Sequence, residues 1–175
     1  KWNDKITIPY EPFIGTIGTS PEIEAISSLQ PDYYGGNMDL PEVAPGAVIY
    51  LPVNAPGGLL YLGDCHAAQG DGELCGVAVE HPTVTTIQVD LIKGWNFKWA
   101  RLENENVIMT IGSSRPMEDA SRIAYRELVR WMAADYGFEE LDAYMLLTQV
   151  GRVRLGNMVD PKYTLGASIS KKFLV

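Results

Sequence analysis

The chain has 175 residues, of which 46% are hydrophobic, so it is long enough for one sizeable core or two small ones. Fourteen basic and 22 acidic residues give a formal net charge of −8, which argues against a nucleic-acid backbone or an anionic membrane as partner. No apolar run of about 18 residues and no charged-then-apolar amino terminus is visible, so neither a membrane span nor a secretion signal is predicted. These features favour a soluble, cytoplasmic globular protein.

The first two thirds of the chain are predicted to be mainly β. Short runs rich in branched and aromatic residues predict strands at residues 6–8, 13–17, 47–53, 59–62, 74–79, 84–92, 95–102 and 107–111. The runs at 84–92 and 95–102 are expected to form a hairpin across Lys93-Gly94. Dense Gly, Pro and Asn turn signals separate the runs, which is typical of an antiparallel sandwich or barrel-like β core.

Two helices are predicted near the carboxyl terminus. The first is expected to take its cap from Ser113-Ser114 and to end at Gly137. Its apolar stripe has helical spacing: Tyr125, Leu128, Val129 and Met132. The second helix opens at Glu139-Glu140 and stops at Gly151. Residues 113–151 are therefore predicted to be a helical insertion, after which the tail returns to the sheet as strands.

The ten residues 64–73 carry the strongest indication of chemistry. They combine three carboxylates and one of only two histidines with small residues that let the backbone approach a ligand. Because side chains alternate along extended backbone, Asp64 and His66 are expected to share one face, as are Asp71 and Glu73. Ionised carboxylates stay close only if a metal or shared protons relieve their repulsion. A solvated Gly-Asp-Gly surface turn is the alternative.

The identity of such a metal follows from the donor atoms. Imidazole with carboxylate is an ordinary ligand set for zinc, whereas an all-oxygen set suits calcium or magnesium better. A second segment, Gly35-Gly36-Asn37-Met38-Asp39, likewise combines small residues with polar side chains. The two glycines permit a strained turn, and Asn37 and Asp39 occupy alternate positions that face the same side. These two residues are expected to complete a site with Asp64 and His66; a plain Asx-turn is the alternative.

The two cysteines are too few for a disulfide scaffold. Cys75 lies in an apolar run and is expected to be a buried free thiol. Cys65 alternates with Asp64 and His66 and is expected to face the other side of the strand. A nucleophilic role for Cys65 would require a histidine beside its thiol.

Four segments resemble a known family. Gly63-Asp64-Cys65-His66-Ala67-Ala68-Gln69-Gly70-Asp71-Gly72-Glu73 closely resembles the hallmark of the acetamidase/formamidase family. Residues 35–39, 12–18 and 46–53 resemble further segments of that family in the right order. The resemblance implies an amidase that hydrolyses small linear amides, such as formamide or acetamide, to ammonia and a carboxylate. It also implies metal dependence and a largely β, sandwich-like fold with carboxy-terminal helices.

The resemblance also suggests roles for individual residues. It implies the following metal-binding positions: Asn37, Asp39, Asp64 and His66. Asp71 and Glu73 become candidates for the general base or for positions that support the metal ligands, with Glu73 preferred as the base and Asp71 supplying a like charge beside it. The cofactor is expected to be a divalent cation, zinc in the first place and calcium as the alternative.

The assembly and the extent of the domain are further expectations. Family members are longer, so residues 1–175 are expected to be the C-terminal portion of an acetamidase/formamidase-like domain that lacks an N-terminal segment. The partners expected are a small amide substrate, further copies of the chain in a homo-oligomer, and a complementary N-terminal polypeptide. Two alternative functions stay open: a metal-stabilised binding or assembly module, and an amidase of a larger amide or lactam.

Overall fold

A computed structural model describes all 175 residues and confirms the mainly β fold. The strands are β1 (Phe13–Gly18), β2 (Gly35–Asn37), β3 (Val48–Tyr50), β4 (Tyr61–His66), β5 (Arg101–Glu103), β6 (Val107–Ser114), β7 (Arg152–Leu155) and β8 (Tyr163–Ser170). The helices are α1 (Met117–Tyr136) and α2 (Glu140–Val150), followed after β8 by a short 3-10 turn at Lys171–Phe173. All strand pairs are antiparallel, and neither of the two sheets closes into a barrel. No helix is long and apolar enough to cross a bilayer.

The molecule has three layers. A three-stranded sheet of order β2-β1-β4 packs on a five-stranded sheet of order β3-β5-β6-β8-β7, and the helices cover the far side of the larger sheet. Strand β6 shows the separation: Ile108 packs with the helices, whereas Met109 and Ile111 pack toward the smaller sheet. This alternation with period two is expected of a strand that is buried on both faces.

Helix α1 lies close against β6 and β8. A Cβ atom on Gly112 would come within 2.2 Å of the Ala120 carbonyl oxygen, so only glycine allows this approach. The end of α1 is as predicted, because Gly137 adopts a left-handed conformation (φ 72°) and donates its N–H to the Met132 carbonyl. The predicted cap is wrong: Ser113 and Ser114 belong to β6, and the Ser113 hydroxyl is 2.8 Å from that of Thr164.

The second helix and the returning strands are confirmed. Helix α2 starts after Glu139 and ends at Gly151, whose N–H bonds the Leu147 carbonyl. Strand β7 then pairs with the edge of β8, which in turn lies beside β6. The segment 113–151 therefore supplies, with β6 and β8, one of the two apolar clusters of the core.

Four predicted strands are not formed as expected. Residues 6–8, 74–79 and 84–92 are irregular and mostly exposed; Leu74, for example, is 81% exposed. The predicted hairpin is wrong, because only residues from Arg101 onward enter the sheet. Branched residues favour strands only where a neighbouring strand offers backbone partners and an apolar face. In residues 74–79 only Val79 has such partners, in its backbone hydrogen bonds with Ala67 and Ala68.

Two other expectations in this part of the chain have mixed outcomes. Cys75 is exposed rather than buried because the run that carries it is not a core strand. Cys65 is half-buried, and its sulfur lies 4.0 Å from the Thr85 hydroxyl.

Candidate metal centre

The last residue of β4, His66, is the centre of a cluster of acidic side chains. Its side chain is fully buried and packs edge-on against Phe13, which lies directly opposite on β1. The Nε2 atom faces three carboxylates: Glu80 Oε2 at 3.2 Å, Asp64 Oδ1 at 3.3 Å and Asp39 Oδ1 at 3.9 Å. Burial disfavours the imidazolium, but Asp64 and Glu80 outweigh it and raise the pKa of His66 to about 9.

Asp39 is the most deeply buried carboxylate of the cluster. Its Oδ1 is inaccessible to solvent and has no hydrogen-bond partner. Burial, together with the nearby charges of Glu73 and Asp160, raises the pKa of Asp39 to about 9. An orphaned buried oxygen is costly, and a cation would satisfy it.

Asp64 and Glu80 open the cluster to solvent. Their side chains are 36% and 43% exposed, whereas that of His66 is fully buried. The hydrogen bond with His66 lowers the pKa of Asp64, although partial burial acts against this. The cluster is thus buried at Asp39 and accessible at Asp64.

A glycine in β1 makes room for two of these carboxylates. A Cβ atom on Gly15 would lie 2.7 Å from Asp39 Oδ1 and 2.9 Å from Asp64 Oδ2. The carbonyl of Gly15 also accepts hydrogen bonds from the backbone N–H groups of Met38 and Asp39. Gly15 therefore both admits the carboxylates and holds the segment that carries one of them.

Glu73 joins the cluster from the loop after β4. It is only 7% exposed, and its carboxylate accepts no hydrogen bond from the protein. Its carboxylate groups with His66 and Glu80, and also with Asp39 and Asp160, each set of ligand atoms lying within 4.8 Å of one another. Burial raises the pKa of Glu73, and the charge of His66 only partly offsets this.

The structure adds residues that the sequence analysis missed. Asp160, in the β7–β8 connection, groups with Asp39 and Glu73, and Glu80 reaches the cluster because residue 80 forms a bridge with His66. The buried Asn157 donates its Nδ2 hydrogens to the Asn37 carbonyl at 2.9 Å and toward Asp39 Oδ2 at 3.3 Å. No local pattern marks Asn157 or Asp160, since they meet the cluster only through the return of the tail to the sheet.

Two of the expected site residues occupy other positions. The Asn37 amide donates to Asp160 Oδ2 at 3.0 Å and accepts from the Thr16 hydroxyl, so both of its polar ends already have protein partners. Asp71 does not enter the cluster: its carboxylate lies 3.0 Å from Arg154 Nε and is 54% exposed. Asn37 therefore orients a carboxylate, while Asp71 lies at the surface.

The donor set fits a divalent cation. Four carboxylates lie around one imidazole, and a fifth, that of Asp160, groups with two of them. No Lys or Arg side chain forms an ion pair with any of the five. Asp39, Asp64 and His66 form one group whose ligand atoms lie within 4.8 Å of one another. Nitrogen and carboxylate oxygen donors at such spacing suit zinc, and the excess of oxygen donors also suits calcium.

Known proteins resemble this chain in both sequence and fold. It is 40% identical to the formamidase of Methylophilus methylotrophus over 72 residues, which are 40% of this chain and 17% of that protein. It is 41% identical to the acetamidase of Mycolicibacterium smegmatis over 69 residues, which are 38% of this chain and 17% of that one.

Two solved structures superpose on nearly the whole chain. The acetamidase from Yersinia enterocolitica matches with a TM-score of 0.98 and 61% identity, over 99% of this chain and 53% of that one. The acetamidase from Bacillus halodurans matches with a TM-score of 0.94 and 33% identity, over 98% of this chain and 58% of that one. The chain thus spans about half the length of these relatives.

Residues 23–165 match the model of the acetamidase/formamidase family, and this range includes every acidic residue of the cluster and His66. The resemblance seen in the sequence is thereby confirmed, and the chain belongs to the acetamidase/formamidase family.

Proposed function

We propose that this protein is a metal-dependent amidase that hydrolyses the C–N bond of small linear amides, such as formamide or acetamide. The observation that carries the proposal is the buried His66, whose Nε2 faces three carboxylates with no Lys or Arg to neutralise them. Membership of the family and the acetamidase and formamidase names of its relatives support the reaction.

The cation would be held by His66 Nε2 together with Asp39 and Asp64. Zinc is favoured because an imidazole nitrogen is among the donors, with calcium as the alternative. When bound, a divalent cation supplies positive charge that polarises an amide carbonyl and acidifies water. Asn37 supports the site indirectly, because its amide orients the Asp160 carboxylate.

Glu73 is the proposed general base. It accepts a proton from the water whose oxygen attacks the carbonyl carbon, and it returns that proton to the nitrogen as the C–N bond breaks. Ammonia and a carboxylic acid leave, and the acid ionises in water. Glu73 suits this role because it is buried beside His66, has no protein partner, and has a raised pKa.

Ammonia release from a panel of amides tests the proposal. The purified protein should release ammonia from formamide or acetamide, lose this activity on chelation, and regain it when zinc is added. Including longer amides and a lactam in the panel separates the substrate classes. Failure to release ammonia from any amide with any divalent cation would contradict the amidase assignment and favour a metal-stabilised assembly module.

We also propose that the protein self-associates. Apolar side chains are exposed along residues 74–92: Leu74, Val77, Val79, Val84, Ile87, Val89, Leu91 and Ile92. So many exposed apolar side chains in one stretch of the chain are what an interface would cover. Light scattering should give a mass of two or more chains. A monomer at all concentrations would contradict self-association. A second polypeptide in native material would identify a complementary partner instead.

A further inference from the structure

One polar side chain close to the cluster touches three separate segments of the chain. Gln69 follows β4, and its Oε1 lies 2.8 Å from His66 Nδ1, on the ring edge opposite to the carboxylates. Its Nε2 donates to the Asp39 carbonyl at 2.7 Å and to the Gly156 carbonyl at 2.9 Å. One amide group therefore joins the end of β4, the segment after β2 and the β7–β8 connection.

These contacts determine which way the amide points. Backbone carbonyl oxygens only accept hydrogen bonds, so the two carbonyls of Asp39 and Gly156 require the nitrogen of Gln69 on their side. The Gln69 oxygen must then face the imidazole ring. This oxygen is itself only an acceptor, so the hydrogen in the 2.8 Å contact belongs to His66 Nδ1.

The position of that hydrogen determines which ring nitrogen can bind a cation. A neutral imidazole carries one hydrogen, so a hydrogen on Nδ1 leaves the lone pair on Nε2. Nε2 is the atom that faces Asp39, Asp64 and Glu80. The amide of Gln69 thus directs the ligating lone pair toward the carboxylates.

We propose that Gln69 is a positioning residue that makes Nε2 the metal-binding nitrogen of His66. It does so while holding the backbone of Asp39, and it anchors the connection that carries Asn157 and Asp160 through the carbonyl of Gly156. This inference rests on the proposed function, since it concerns how the same centre accepts a divalent cation. Such hydrogen-bonding partners fix ring orientation and ligand basicity in metal sites.

The direct test is long-range proton–nitrogen NMR of the imidazole rings in the zinc-loaded protein. The chain has only two histidines, so a His81→Gln variant assigns both rings. Wild type should show His66 with hydrogen on Nδ1 and zinc on Nε2. Zinc on Nδ1 would overturn the role of Gln69 while leaving the metal centre intact.

A variant provides the second measurement. Gln69→Met keeps the length of the side chain but can neither accept from Nδ1 nor donate to the carbonyls. Zinc affinity should therefore fall about 10- to 100-fold. The hydrogen of the His66 ring should also no longer be found on Nδ1 alone. Gln149→Met, on the exposed face of α2, is the matched control and should bind zinc like wild type. Unchanged affinity and unchanged ring protonation in Gln69→Met would refute the proposal. If wild type shows no zinc effect at His66, the metal centre itself is refuted, and this inference with it.

Discussion

Asp39, Asp64 and Glu73 all have backbone φ angles near +50°, in the left-handed region that residues with side chains rarely adopt. Only one other non-glycine residue, Leu59, shares this feature. Each such residue costs about 1–3 kcal/mol and persists only where the surroundings enforce it. Backbone strain at three acidic residues of one cluster therefore favours a functional centre over a solvated surface turn. Asp71, whose carboxylate is 54% exposed, is the residue that fits a surface turn.

At the residue scale, Glu73→Gln should abolish most of the activity. The amide cannot take a proton from water, so turnover should fall by about 100-fold or more, with the bound metal retained. Turnover on formamide or acetamide and metal content should be measured together. Asp71→Asn is the comparison, since its carboxylate lies against Arg154, and it should stay close to wild type. Full turnover in metal-loaded Glu73→Gln would rule out Glu73 as the base.

Gly15→Ala should damage the centre without removing any ionisable group. The added methyl meets Asp39 Oδ1 and Asp64 Oδ2 at under 3 Å, so the carboxylates must separate. We expect a loss of about 1–3 kcal/mol in unfolding free energy and weaker zinc binding. Gly63→Ala, on the paired strand with open space around its Cβ, should change neither quantity. Equal zinc affinity in the two variants would contradict the described geometry.

At the element scale, the close approach of α1 to β6 depends on Gly112. Alanine at this position would press on the carbonyl of Ala120 and the N–H of Ala124, which belong to helix backbone and cannot rotate away. Gly112→Ala should therefore lower the free energy of unfolding by about 1–3 kcal/mol or more, as measured by urea denaturation. Gly63→Ala again serves as the control. A stability equal to that of this control would show that α1 packs less closely than described.

Helix ends are predicted better by local sequence signals than strands are. The ends of α1 and α2 at Gly137 and Gly151 were predictable, because a stop residue and an apolar stripe are properties of neighbouring residues. The strands expected at 74–79 and 84–92 were not formed, because a strand also needs a partner that the local pattern does not contain.

The residues of the candidate site also fall into those that local sequence indicates and those that only the fold brings in. Asp64, His66 and Glu73 were found because they lie within one short segment, and Asp39 because its own segment repeated the theme. Asp160 was missed because it lies 123 positions after Asn37 and meets it only when the chain between them has folded. Glu80 was missed because residues 74–79 were expected to form a strand. They form an irregular loop, which brings Glu80 back to His66.

At the scale of the whole molecule, metal binding should stabilise the fold. The cluster gathers carboxylates from the segment after β2, from β4 and the loop after it, and from the β7–β8 connection. A cation there therefore joins distant segments of the chain. With free zinc at 100 times its dissociation constant, the gain should be about 2.7 kcal/mol. Urea denaturation with zinc and with chelator measures this gain. Equal stability under both conditions, with His66 intact, would argue against a cation at this centre.

The most direct test of the central claim is a crystal structure of the zinc-loaded protein with anomalous diffraction at the zinc edge. We expect a peak about 2.0–2.1 Å from His66 Nε2, the usual zinc–nitrogen distance, with carboxylate oxygens of Asp39 and Asp64 beside it. A map without zinc at His66, in which the surrounding carboxylates turn away toward solvent, would contradict the proposed centre.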